Sequence, residues 1–263
     1  MRIIWGILFG CLATTAQAQG LFSLNSREDG RMWEAVGRLE LAGEAFCTGA
    51  LIDERLVLTA AHCIFDTTTG EPVPVEDLNF LAGWRNGRAS AYRRVKRAVA
   101  HPDYDFLGPA DSDRVRNDIA LLELQLPIRN TTIRPFETDT RPELGDSVGV
   151  VSYRHDRSEA PNLQETCEVI SRQDGILVLS CEVDFGASGS PVFSFADDGR
   201  PRIVSVVSAK ATADGTPVSL GTALLEPLNE VRALLETAEN PGAGLERLDA
   251  GTRRDTGAKF VKP

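Results

Sequence analysis

The stretch LVLTAAHC at 56–63 decides the fold of this chain. Four residues of β-branched and aliphatic character, Leu56 to Thr59, read as a short buried strand. The strand runs into Ala60-Ala61, and then a histidine and a cysteine stand side by side. An apolar strand that delivers His62 next to a residue able to form a covalent tether is an arrangement for holding an imidazole still. Two further segments follow in order, DIALLEL at 118–124 and GASGSPVF at 186–193. Each opens on, or encloses, a residue whose chemistry complements an imidazole: Asp118 and Ser188. A serine hydroxyl is a weak nucleophile at neutral pH and needs a base. An imidazole titrates in the right range to act as one, and a carboxylate can fix its tautomer.

Each residue has a plainer reading. Ser188 lies among turn formers, and Gly and Ser make ordinary β-turns. Asp118 could be a surface carboxylate at a strand start, although a charge beside Ile119, Ala120, Leu121 and Leu122 is costly unless paired. Asp111 and Asp113 lead into no apolar strand. Of the other histidines, His101 sits in HPDY beside a proline and His155 in the charged loop YRHDRSE, neither beside a tether. The nucleophile elbow G-x-S-x-G needs glycine where Ser190 stands and a serine-first order, so an α/β-hydrolase is disfavoured.

Together with FCTGALI at 46–52, HPDY at 101–104 and NDIALLEL at 117–124, these words resemble the trypsin/chymotrypsin-like serine proteases, from about residue 33 to about residue 239. FCTGALI is similar to that family's FCGGSLI, and GASGSP stands where it usually has GDSGGP. GASGSP is closer to the GNSGSP of bacterial glutamyl endopeptidases and their secreted trypsin-like relatives. The resemblance implies an all-β chain of two six-stranded antiparallel barrels closed by a C-terminal helix. It implies His62, Asp118 and Ser188 as the catalytic set, the N–H groups of Gly186 and Ser188 as the oxyanion hole, and no metal or cofactor. It also implies a protein or peptide substrate. Ala187 replaces the aspartate that pairs with a newly cut N-terminus in the animal enzymes, and no activation sequence precedes the first barrel. The expectation is a protein active with residues 19–32 uncut. Lys210, near the expected specificity pocket, favours an acidic substrate side chain, whereas Glu182 favours a basic one, and the sequence does not choose. A non-catalytic binding protein on the same fold and an esterase with the same triad are the competing functions.

The remaining residues bound the setting. At 263 residues with a formal net charge of −10, the chain has ample core and repels nucleic-acid phosphates. Residues 1–18 read as a cleaved signal peptide: Arg2, an apolar run from Ile3 to Leu12, and Ala16-Gln17-Ala18. That run is too short to span a bilayer. A secreted or periplasmic monomer without stable membrane insertion is expected. Its removal leaves Cys47, Cys63, Cys167 and Cys181, and an even count in an exported chain favours disulfides over metal ligation. Spacing does not choose among three pairings. The family resemblance implies Cys47 with Cys63, leaving Cys167 with Cys181.

Strand-like segments at 34–41, 56–59, 147–153, 175–181 and 202–209 argue for a sandwich or barrel, without separating the two. The expected units are an N-terminal segment 19–32, a first barrel 33–130 and a second barrel with a helix 131–239. That helix is placed at 227–237, with Leu228, Val231, Leu234 and Leu235 on one face. A tail follows at 240–263, without apolar periodicity. Asn130-Thr131-Thr132 spells a glycosylation sequon, idle in a bacterial host.

Overall fold

The computed structural model describes residues 20–43, 45–139, 142–195 and 199–239. The expected signal peptide at 1–18 and tail at 240–263 lie outside them. Thirteen strands and two α-helices are described. Strands β2 (Val36–Leu41), β3 (Ala45–Leu51), β4 (Leu56–Thr59), β5 (Leu78–Ala82), β6 (Ala91–Ala100) and β7 (Ala120–Leu124) close a barrel in the order β2-β3-β4-β7-β6-β5. The second barrel comprises β8 (Ser147–Arg154), β9 (Arg157–Gln173), β10 (Ile176–Leu179), β11 (Pro191–Phe195), β12 (Pro201–Ala213) and β13 (Thr216–Ala223). It closes through the β8–β9 pairing. Every strand pairing in both barrels is antiparallel. The choice that patterning left open between sandwich and barrel is settled as two barrels.

Alternation decides what faces inward. Leu39, Leu51, Leu58, Phe80, Leu122 and Leu124 are fully enclosed in or around the first barrel. Val148, Val150, Val169, Leu177, Leu179, Val192 and Val207 form a cluster around the Cys167–Cys181 disulfide in the second. β1 (Leu21–Ser23) lies outside both barrels, paired with Asn162–Gln164 of β9. The N-terminal segment is then pinned where Leu24 N–H donates to the Pro161 carbonyl at 2.9 Å and Arg85 Nε donates to the Leu24 carbonyl at 2.7 Å.

Helix α2 (Leu225–Glu239) begins two residues before the expected Pro227, which falls in the first turn, where its missing N–H is no loss. Leu228, Val231 and Leu235 are buried, but Leu234 is exposed, contrary to the sequence expectation. At about 100° per residue Leu234 lies well off the centre of the stripe formed by the other three. Arg97 binds α2 to the first barrel through the Leu235 carbonyl at 3.0 Å, and Arg97 and Lys96 both hold Glu123, at 2.6 and 2.9 Å. Burial works against the Glu123 carboxylate, but the hydrogen bonds from Lys96 and then Arg97 win, holding its pKa below the ordinary glutamate value. The stability this contributes is present above the unfolded-state pKa and disappears as pH falls through the depressed folded value. Glu123→Gln should therefore cost about 2 kcal/mol at neutral pH. Melting curves of the variant and the parent should begin to approach each other below about pH 4.3 and meet only below the depressed folded value.

Candidate active site

His62 sits in a short 3-10 turn, Ala61–Ile64, directly after β4. Its neighbour Cys63 is joined to Cys47 of β3. Both sulfurs being in that bond, the cluster of Cys47, His62 and Cys63 offers no thiolate to a metal.

Asp118 arrives from the other side. Asp111, one of the alternative carboxylates, caps the short helix α1 (Ser112–Arg116) by accepting from the Arg114 N–H at 3.1 Å. Asp113 pairs with Arg116 in the same helix. The chain leaves α1 so that Asp118 precedes β7 with its side chain 3 % exposed. Its Oδ2 lies 2.7 Å from His62 Nδ1, and its Oδ1 accepts the His62 backbone N–H at 2.9 Å. Ser208 Oγ donates to the same Oδ2 at 2.5 Å. A carboxylate only accepts, so Nδ1 carries the ring hydrogen and Nε2 keeps its lone pair. Tyr104 is packed nearby, and burial, then the Asp118 charge, push its phenol up to about 12.

Ser188 is placed by its backbone. Its carbonyl accepts the Thr48 N–H at 2.8 Å, and Thr48 follows Cys47, so the route from His62 runs Cys63, disulfide, Cys47, Thr48, Ser188. On the other flank Gly189 N–H donates to the Val207 carbonyl and Val207 N–H to the Ser190 carbonyl, both at 2.9 Å. Val207 precedes Ser208, so one edge of β12 holds the Ser188 loop and the Asp118 carboxylate together. Gly189 has φ +75°, and a Cβ there would meet Thr59 Oγ1 at 2.2 Å and the Thr48 carbonyl at 2.3 Å. Only glycine fits that approach. The Ser188 hydroxyl has no hydrogen bond to His62 among the described residues, and such bonds often tighten only when substrate is bound.

The Asp184–Ala187 turn is closed by Ala187 N–H donating to the Asp184 carbonyl at 2.9 Å, with Gly186 at φ +90°. A positive φ at the third position is the mark of a type II turn. The N–H groups of Gly186 and Ser188 have no acceptor among the described residues. The Gly186 carbonyl accepts the Thr48 hydroxyl at 2.9 Å, while that same hydroxyl oxygen accepts the Tyr153 N–H at 3.0 Å. Ala187 is fully buried.

The remaining candidates are elsewhere. His101 is buried, with Nδ1 accepting the Asp103 N–H at 3.2 Å and Nε2 3.1 Å from Glu230 of α2. His155 stacks against Phe46. Lys210 pairs with Asp184 at 3.3 Å and lies 4.3 Å over the exposed Phe185 ring, and Glu182 is exposed. The Phe185 N–H, then Lys210, hold the Asp184 carboxyl below its usual range. Sequence reasoning missed Thr48 and Ser208. Thr48 was signalled by its standing where the family's FCGGSLI has glycine. Ser208 lies in an ordinary β-pattern, and nothing local distinguishes it.

A family model described as Trypsin matches residues 25–220. Among curated proteins, the chain is 34% identical over 181 residues to serine protease SP24D of Anopheles gambiae, covering 63% of this chain and 61% of that one. It is 28% identical over 148 residues to glutamyl endopeptidase of Bacillus licheniformis, covering 56% and 45%. A trypsin of Phaedon cochleariae is 39% identical over 92 residues, covering 34% of this chain and 32% of that one. The matches thus span about a third to three fifths of these relatives. A solved structure of a Glu endopeptidase in complex with MPD superposes with a TM-score of 0.67 at 16% identity, covering 84% of this chain and 99% of that one.

Proposed function

Since the chain belongs to the trypsin family of serine peptidases, we propose that it is an exported serine endopeptidase working through His62, Asp118 and Ser188. The observation that carries this reading is the Asp118 carboxylate, withdrawn from solvent and shared by His62 Nδ1, the His62 backbone N–H and Ser208. A buried charge so completely committed to one imidazole has a clear use in orienting it and in stabilising the imidazolium.

In the proposed cycle Ser188 Oγ attacks a peptide carbonyl while His62 Nε2 takes the hydroxyl proton. The carbonyl oxygen becomes an oxyanion and is met by the unused N–H groups of Gly186 and Ser188. Collapse breaks the C–N bond, and His62 returns the proton to the departing amine, leaving an ester on Ser188. Water then attacks that ester, giving its proton to His62, which passes it to the departing Ser188 Oγ as the acid product leaves, so both groups are restored. Two disulfides support export, since such bonds persist in oxidising compartments.

The direct test treats the mature protein with a fluorophosphonate and digests a peptide library. Labelling of Ser188 together with amide cleavage supports the reading. Labelling with ester but no amide turnover would favour the esterase, and absence of labelling a binding protein. Thr48 supplies a finer check. Thr48→Val removes the hydroxyl that holds the Gly186 carbonyl and receives the Tyr153 N–H. It should lower kcat by roughly tenfold with little change in KM, because a displaced oxyanion donor is felt only in the transition state. A variant with unaltered kcat would release Thr48 from this role.

A further inference from the structure

One broad cleft among the described residues lies apart from the catalytic groups. It has a volume of about 1230 Å³ and lies between the N-terminal segment, the β5–β6 hairpin, the 131–137 linker and the start of β12. Six arginines line it, Arg27, Arg31, Arg85, Arg88, Arg134 and Arg200, against two glutamates, Glu34 and Glu137. Both carboxylates are committed, Glu34 to Arg85 at 3.0 Å and Glu137 to Arg202 at 3.1 Å. Arg27, Arg31, Arg88 and Arg134 are exposed and have no carboxylate or side-chain hydrogen-bond partner among the described residues. In a chain of net charge −10, four unpaired guanidiniums around one depression are contrary to the average.

The cleft also has a rigid floor. Arg85 is nine-tenths buried, held at Nε by the Leu24 carbonyl and at one terminal nitrogen by Glu34, while its Nη2 has no partner. Phe136, Pro135 and Met32 supply apolar wall between the guanidiniums. The volume exceeds the roughly 300–1,000 Å³ of a small-molecule pocket. A long polyanion would run from the cleft onto a surface of like charge. What fits is a short acidic segment of polypeptide with some apolar side chains.

We propose that this cleft is an anion-recognising exosite that docks an acidic stretch of a protein substrate. Its walls come from both barrels and their linker, so a docked segment would tether the substrate without occupying the catalytic cleft. The proposal rests on the peptidase reading for the identity of its ligand, but its test does not.

The test uses Ser188→Ala protein and the fluorescence anisotropy of a fluorescein-labelled hexaglutamate peptide. Saturable binding is expected, absent for labelled hexalysine and weakened by salt. Arg88→Glu and Arg134→Glu should each weaken it by roughly tenfold. Arg88→Lys and Arg134→Lys should retain most of it, and Arg94→Glu, an equal charge change at an exposed residue outside the cleft, should leave it unaltered. Melting curves confirm that each variant is folded, and the two positions are read independently. Absence of saturable binding overturns the exosite. So does equal weakening by Arg94→Glu, or a heparin oligosaccharide that binds through Arg88 and Arg134 and is not displaced by the peptide. Hexaglutamate binding of this kind, with no peptide cleavage by the parent protein that retains Ser188, overturns the peptidase reading alone.

Discussion

Ser188→Ala is expected to lower peptide turnover by roughly 10⁶, a loss of about 8 kcal/mol of transition-state stabilisation, and to abolish fluorophosphonate labelling. The backbone around Ser188 is fixed by Thr48, Val207 and the glycine at 189, none of which depends on the hydroxyl. The variant should therefore melt at nearly the parent temperature while losing only chemistry. His62→Ala should lose a similar factor and the double variant little more, because the two groups act as one unit. Labelling that survives Ser188→Ala undiminished would place the nucleophile on another serine.

Asp118→Asn should cost about 10⁴ in kcat, by analogy with the same change in a related triad. The geometry explains why an isosteric change is so severe. Oδ1 receives the His62 backbone N–H, which can only donate, so the amide oxygen must occupy that position. The amide NH₂ then falls where Oδ2 faces His62 Nδ1 and the Ser208 hydroxyl. It donates to Nδ1 and forces the ring hydrogen onto Nε2, which can no longer accept a proton from serine. Steady-state kinetics on a peptide amide checks this, and a loss of less than tenfold would remove Asp118 from the proposed catalytic set.

The two barrels were legible only through the family resemblance, whereas the His62–Asp118 contact depends on two compact words: LVLTAAHC and NDIALLEL contain both the strand and the residue it delivers. β9 was not legible. Its seventeen residues include Pro161, three glutamates and buried Asn162, which mimic a loop, yet tertiary partners on both edges hold it extended. Helix α1 is only five residues long, and its cap Asp111 leads into no apolar strand that would mark it in the sequence. Ser208 was hidden because its role is set by a partner ninety residues away. The arginine-lined cleft escaped for the same reason, its residues being scattered from 27 to 200.

The pairing of β1 with β9 carries a consequence for the order of events at birth. Leu21–Ser23 is among the first described parts of the chain to emerge during synthesis, but its partner Asn162–Gln164 follows about 140 residues later. Domains tend to condense in the order in which they are made. The first barrel, with His62 and Asp118, can form while the leading strand still hangs without a seat. Ser188 comes later again. A half-made chain thus carries the base and its carboxylate but no nucleophile, and the leading strand docks only when β9 exists. Ribosome-bound intermediates ending before β9 should accordingly remain open to proteases around residues 20–25 and be silent to a fluorophosphonate. Protection of the leading strand and completion of the chemistry would then arrive together, with the second barrel.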